Sequence, residues 1–401
     1  MEIPDFLIKD DYLQNPIMRR FLKEHKLNFV ENKADYINTI KEFADQNEDN
    51  KKEVINWILK VVKEGSKEIC YRRIHNIGSS LKEPRLVEEK IREAYPNCPM
   101  RNIFSYTNTH ESTMIDYQII TDEANEVVKI SFTFSRLFFR ENIERTMDET
   151  VFPLFIEIYL DEGFIISRAK AKSTLYNRTQ DSEDIDAFNK VNTMDYAMFF
   201  INQIISLFDF KVENNYKITK NEIYKMLYEL YNQYSFTPKD VQDKIDSQRD
   251  LINEFVNHFF NCLNLDIRNK EKAILDAEII LEKYISINGD NELLFKKDRP
   301  AYLIKVSSDN ENELTMIDAT SNKNVPLQCT ETFFDSKKCV IRSKACKRLN
   351  LIFKRHDDTY FKSNPLVVQF GIHKNHGYVK TMQYAEEADI QNVLQTIFRN
   401  Y

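Results

Sequence analysis

Glycine is scarce. The 401 residues include only six: Gly65, Gly78, Gly163, Gly289, Gly371 and Gly377. A loop that cradles phosphates needs clustered glycines, because only there do backbone N–H groups approach the ligand closely. No two of the six stand in the spacing G-x-G-x-x-G, G-x-x-x-x-G-K-[ST] or G-x-S-x-G. That excludes the standard P-loop NTPase, Rossmann, protein-kinase and α/β-hydrolase sites. No nucleotide or other cofactor is expected.

Long apolar runs are also missing. The most apolar stretch, Ala197 to Phe208, is broken by Asn202, Gln203 and Ser206. It is too short and too polar to cross a bilayer. The N-terminal MEIPDFLIKDDY has neither the basic start nor the apolar run of a signal peptide. Six cysteines, at 70, 98, 262, 329, 339 and 346, include no C-x2-4-C pair. Reduced thiols are the expectation, several of them buried. The chain therefore reads as a cytoplasmic protein with no membrane partner.

What is present argues for sizeable cores. Apolar residues make up 42% of the chain, and aromatics 12%, with 28 Phe and 20 Tyr. Such a composition does not suit disorder. The periodicity predicts an α+β, multidomain fold. Residues 1–97 read as a helical N-terminal domain, with helices at Pro16–His25, Tyr36–Ala44, Glu53–Lys63 and Glu83–Ala94. Residues 98–176 read as a β-rich domain. There Val128, Ile130, Phe132 and Phe134 alternate with Lys129, Ser131 and Thr133, and Leu154, Ile156, Ile158 and Leu160 repeat the pattern. Asp161-Glu162-Gly163 is a turn signal, so 154–173 is predicted to be a β-hairpin with Glu157 outward.

Residues 177–288 read as a helical domain, entered through a polar linker at Asn177–Asp186. Asp186–Phe210 reads as one buried core helix, and Thr219 to Glu222 is a capping box. Thr237-Pro238 starts a longer helix, with Val241, Ile245, Ile252, Phe255, Val256, Phe259 and Leu263 inward and His258 at the edge of that face. Residues 289–401 read as a β-rich C-terminal domain. Its short strands are Tyr302–Val306, Leu314–Ile317, Cys339–Ile341, Leu349–Phe353 and Val367–Phe370. A terminal helix, Ala385–Asn400, packs Ile390, Val393, Leu394 and Ile397.

Charge is unevenly spread. The 44 residues Lys337–Lys380 hold eleven bases against Asp357 and Asp358, a net +9 that leaves −16 on the rest of a chain at −7. Concentrated positive potential attracts polyanions. Arg342, Lys344, Lys347, Arg348, Lys354 and Arg355 are the candidate nucleic-acid contacts. Phe353, Tyr360, Phe361, Phe370 and Tyr378 are interleaved with them as stacking surfaces would be. The bland alternative is a solvated lysine face, or a patch docked onto the chain's own acids.

A second candidate is the hairpin strand Ile166–Ser173. Arg168, Lys170 and Lys172 share one face at a spacing of roughly 6.6 Å, close to that of phosphates on a nucleic-acid strand. The bland alternative is an edge strand guarded by lysines. Glu157, Asp161 and Glu162 beside Lys170 suggest a metal-dependent nuclease. That pattern needs an acid where Arg168-Ala169-Lys170 has none. Cys329, Cys339, Cys346, His356, His373 and His376 lack the paired spacing of a zinc site. Tyr71-Arg72-Arg73-Ile74-His75 is a basic-aromatic run to which no mechanism attaches.

The functional expectation is a non-enzymatic nucleic-acid-associated protein, binding DNA or RNA. No catalytic or metal-ligating residue is assigned. The Lys-, Asn- and Ile-rich usage suits a subunit of a bacterial or phage defence or mobile-element system. The alternatives are a nuclease or hydrolase with an unconventional metal site, and a scaffold that binds a protein partner.

Overall fold

The computed structural model describes residues 1–28, 32–142, 144–171, 174–179, 188–310, 315–322 and 325–401. Its fold is α+β, and all the strand pairings are antiparallel. The chain divides into two compact units. Unit 1 takes residues 1–214, 356–361 and 376–398; unit 2 takes 215–355, 362–375 and 399–401. The division falls inside the region 177–288, and the basic C-terminal segment is shared between the units.

Unit 1 begins with helices α1 (Asp5–Lys9), α2 (Asn15–Glu24), α3 (Lys33–Asp45) and α4 (Glu48–Lys63). Asn32 and Asn47 cap the third and fourth, accepting from the N–H groups of Asp35 and Asn50 at 3.0 and 2.8 Å. Then come β1 (Lys67–Arg73), α5 (Pro84–Ala94), β2 (Thr113–Thr121), β3 (Val127–Glu141), β4 (Met147–Tyr159), β5 (Phe164–Lys170), β6 (Leu175–Arg178), β7 (Phe188–Val191) and α6 (Thr193–Leu207). Strand β12 (His376–Thr381) and helix α13 (Glu387–Asn400) belong to it up to Phe398. The strand order is β7-β6-β3-β4-β5-β1-β12, with β2 also on β3.

Both faces of this sheet are covered. Phe132, Leu154, Ile156 and Ile165 share a core with Phe200, Ile201 and Ile204 of α6. On the other face Phe155 packs with the N-terminal helices, and Phe398 of α13 stacks against Tyr159 and Phe164. Each fully buried side chain of this kind contributes about 1.5–3 kcal/mol.

The predicted hairpin is β4–β5, turning through Gly163 at φ +72°. Leu154, Ile156, Ile158 and Leu160 are buried as expected. Glu157 is not outward: it is 3% exposed, because the second face is covered too. For the same reason β5 is no edge strand. It lies between β4 and β1. Strand β1 itself sits in a stretch read as helical. Six of its seven residues are buried, so it shows no alternation. Its Arg72 is structural, donating to Asn202 Oδ1 at 3.1 Å and the Glu213 carbonyl at 2.6 Å. Asn177 and Arg178, assigned to a linker, lie in β6; the rest of that linker from 180 on is outside the described residues.

Unit 2 contains α7 (Tyr216–Ser235), α8 (Lys239–Asp246), α9 (Arg249–Cys262), α10 (Lys270–Ile287), α11 (Asn291–Phe295) and α12 (Glu331–Ser343). Its strands β8 (Ala301–Asn310), β9 (Thr315–Thr320), β10 (Arg348–Phe353) and β11 (Leu366–His373) run in the order β11-β10-β8-β9. Leu314, predicted to start β9, is outside the described residues. The capping box expected at Thr219 is not formed: α7 starts earlier and is capped by Asn215, whose Oδ1 accepts from the Lys217 N–H at 3.0 Å, while Thr219 lies in the first turn. The helix buries Ile223, Leu227, Leu230, Tyr231 and Tyr234, as its pattern implies.

The core helix expected over 186–210 begins only at Thr193, capped by Asn192, because Phe188–Val191 pairs with β6 as strand β7. Two further expectations fail in unit 2. Cys339–Ile341 is helical, part of α12, whose Phe333, Ser336 and Val340 recur at helical spacing and are buried. The helix begun at Thr237-Pro238 breaks at Ser247–Gln248, which rotates the next segment. Ile252 and Val256 of α9 remain in a small core with Val241 and Ile245. Phe255, Phe259 and Leu263 instead face solvent at 58, 47 and 59% exposure.

Candidate nucleic-acid interface

The structure separates the bases of the Lys337–Lys380 segment into two groups. The first is already neutralised or buried. Lys337 pairs with Glu282 at 2.5 Å, Lys338 pairs with Asp276, and Lys380 pairs with Glu68. Arg355 is 8% exposed and donates from Nε to the Asn364 carbonyl at 2.5 Å, so it is a loop tie rather than a surface contact. For these four the internal-docking alternative applies.

The second group lies where α12 passes into β10. Arg342 is in the last turn of the helix, Lys344 caps it, and Arg348 opens the strand. All three are exposed, and among the described residues they form no ion pair. Lys347, half-buried between them, is fixed through its backbone N–H to the Ser307 carbonyl at 2.8 Å. Lys354 is exposed as well, but stands beyond the other end of β10, about 20 Å away. The local reason for the cluster is partly helical. Bases at a helix C-terminus complement its partial negative charge. That accounts for Arg342 and Lys344, not for Lys347 and Arg348 on the connection and strand.

The interleaved aromatics do not serve as stacking surfaces. Phe353, Phe370 and Tyr378 are buried at 1, 0 and 7% exposure, and Phe361 packs on Tyr384. Tyr360 stays exposed. The chemistry of this surface is charge, which suits phosphates and not bases.

The hairpin row is corrected more sharply. Arg168 is completely buried. Its guanidinium holds Glu157 Oε2 at 2.7 Å, Glu387 Oε1 and Oε2 at 3.0 and 2.5 Å, and Tyr159 Oη at 3.2 Å. Lys129 adds a second cation to Glu157 at 2.9 Å, and Gln391 donates to Glu387 and Tyr159. Burial alone would raise the Glu157 carboxyl; Arg168 and Lys129 outweigh it and hold the group below the usual carboxylate range. Glu387 is held down in the same way, chiefly by Arg168. Lys170 is half-buried beside the Tyr12 ring. Lys172 lies outside the described residues. The three bases therefore do not form an outward row.

The nuclease pattern fares no better. Glu157 is committed to the interior ion pairs, and Asp161 at the hairpin turn pairs with Lys82. Among the described residues no three His, Cys, Asp or Glu side chains converge as metal ligands would. Cys346 is buried, and burial raises its thiol and that of Cys329. His258 touches Cys262 Sγ at 3.5 Å, one turn along α9.

One basic cavity escaped the sequence. In unit 1 a space of about 390 Å³ is lined by His110, Arg136, Phe139, Tyr176 and Arg178. Arg136 sits over the Phe138 ring at 4.7 Å, and His110 stacks on Phe139 and pairs with Glu149. Its bases come from the loop before β2, from β3 and from β6, one each, so no local charge run announces it.

Compared with family models, with curated proteins and with solved structures, the chain matches none. No helix among the described residues is long and apolar enough to cross a membrane.

Proposed function

We propose that this protein binds nucleic acid through the phosphate backbone, with the α12–β10 connection as its principal contact, and does not cleave its ligand. The observation that carries the reading is the cluster Arg342, Lys344, Lys347 and Arg348. Among the described residues, three exposed bases, Arg342, Lys344 and Arg348, stay without a carboxylate partner in a chain that has more acids than bases. Surface charges of one sign repel, and a polyanion relieves that repulsion. Contacts of this kind position a protein on a duplex or single strand without reading bases. The test is fluorescence anisotropy with duplex DNA, single-stranded DNA and RNA, each with and without Mg²⁺. Three phosphate contacts give a slope of log affinity on log salt of about −2.7 on duplex DNA. Absence of binding at low salt, or cleavage of the probe with Mg²⁺, rejects the proposal.

A second reading, contact with a protein partner, is supported by α9. Leu251, Phe255, Phe259 and Leu263 recur every fourth residue and are exposed, forming one apolar stripe. Association through the stripe is lost in F255S/F259S, measured as solution mass by sedimentation.

A further inference from the structure

The two ends of β10 in unit 2 differ in chemistry. Past Phe353, where the strand closes, an exposed aromatic ring stands among cations that no acid takes up. The ring is that of Phe236, which caps the C-terminus of α7 and is 53% exposed. A single exposed apolar side chain is ordinary. Here, however, the Arg299 guanidinium lies over the ring, 4.0 Å from its centroid and 5.7 Å from that of Phe295. Among the described residues this guanidinium forms no ion pair and no hydrogen bond, and its Nη1 is buried without a partner. Burial lowers its pKa, and no acid opposes the shift. The guanidinium takes one face of the Phe236 ring, so the exposed face is the other.

Two lysines flank this ring and its guanidinium. Lys354 donates from its backbone N–H to the carbonyl of Pro300, the residue after Arg299, at 2.9 Å. Lys297 lies two residues before Arg299. Both lysines are exposed, and among the described residues neither forms an ion pair. Asp298, the acid between Lys297 and Arg299, is exposed too and pairs with none of the three.

We infer that this surface holds an unpaired base of a single-stranded nucleic acid, stacked on the outer face of Phe236, with Lys297 and Lys354 on the flanking phosphates. The inference rests on the proposed backbone binding at the α12–β10 connection and adds a preference to it. Every base has a flat π-face, so stacking of this kind is tolerant of sequence. In a duplex those faces are covered by the neighbouring base pairs, and only an unstacked base offers one to a side chain. Arg342, Lys344 and Arg348 meet phosphates, which both forms carry; Phe236 meets what the single strand alone presents. The two sites lie about 20 Å apart along β10. An oligothymidine of about 15 nucleotides extends about 50 Å even at the rise of a duplex strand, so it reaches both.

The experiment is fluorescence anisotropy of the whole chain with that oligothymidine and with a hairpin duplex, on the wild type, Phe236→Ala and Phe236→Tyr. Phe236→Ala is expected to lose about tenfold in affinity for the single strand and nothing for the duplex. Phe236→Tyr keeps a ring to stack on and is expected to bind both probes as the wild type does. An alanine variant that binds the single strand as tightly as the wild type overturns the inference, while duplex binding in the same series leaves the backbone reading standing. Equal losses on both probes also overturn it, because the ring then supports the fold and not a base. A wild type that binds neither probe overturns the backbone reading and this inference with it.

Discussion

Arg168 Nη2 lies 2.7 Å from Glu157 Oε2, with 0 and 4% of the two side chains exposed. A buried pair of this kind is a poor source of net stability but is costly to break, since removing one partner strands the other's charge. Glu157→Ala is expected to destabilise unit 1 by about 3–5 kcal/mol in urea unfolding. E157L/R168M removes both charges together and is expected to recover most of that loss. The acid side follows with a definite sign. Glu157 and Glu387 are held below their ordinary range, so their contribution is full above about pH 4.5 and disappears as pH falls through their folded values. A stability profile that stays flat down to pH 3 contradicts this.

Lys67 acts at the other end of the pH scale. Burial first, then Lys170 and Arg168, lower it to about 7. Between pH 7 and the unfolded value near 10.5 the unfolded chain binds the extra proton, so stability rises with pH across that interval. Lys67→Met is expected to remove the rise between pH 7 and 9. Denaturant midpoints at four pH values measure it, and an unchanged slope in the variant counts against the assignment.

Lys344 closes α12 in the left-handed region at φ 48°, with its N–H on the Val340 carbonyl at 3.0 Å. Glycine is the residue that takes this position without strain. Lys344→Gly is expected to stabilise unit 2 by roughly 1 kcal/mol while weakening nucleic-acid binding, because one base is lost. Calorimetry and anisotropy on the same variant separate the two effects.

On α9, neighbours in sequence should behave oppositely. Val256 is 5% exposed and Phe255 58%. Val256→Ala is expected to cost about 1–2 kcal/mol, whereas Phe255→Ser should leave the melting temperature within a degree or two. Equal losses for both would mean that the exposed stripe is covered in the isolated chain.

Much of the fold was legible wherever a single periodicity sufficed. Residues Ile390, Val393, Leu394 and Ile397 of α13 are buried as their spacing implied. So are Leu154, Ile156 and Ile158 of β4. The odd positions were not legible, because alternation says which residues differ and not what covers the second face. Glu157 is buried by elements far away in the chain, and its neighbour Arg168 finds Glu387 across 219 residues. Strand β1 escaped for a related reason, being buried on both sides. The candidate interface was half legible. A charge count located Arg342, Lys344, Lys347 and Arg348, but could not tell them from Lys337, Lys338 and Lys380, whose acids lie in distant segments.

The most direct test of nucleic-acid binding is to compare the wild type with R342E/K344E/K347E/R348E by anisotropy on duplex DNA from 50 to 200 mM salt. The wild type is expected to lose about 40-fold in affinity over that range, and the variant to show no binding at 50 mM with a melting temperature lower by only a few degrees, because two acids then stand at the C-terminus of α12. A wild type that does not bind at 50 mM, or a variant that binds as tightly as the wild type, contradicts the account.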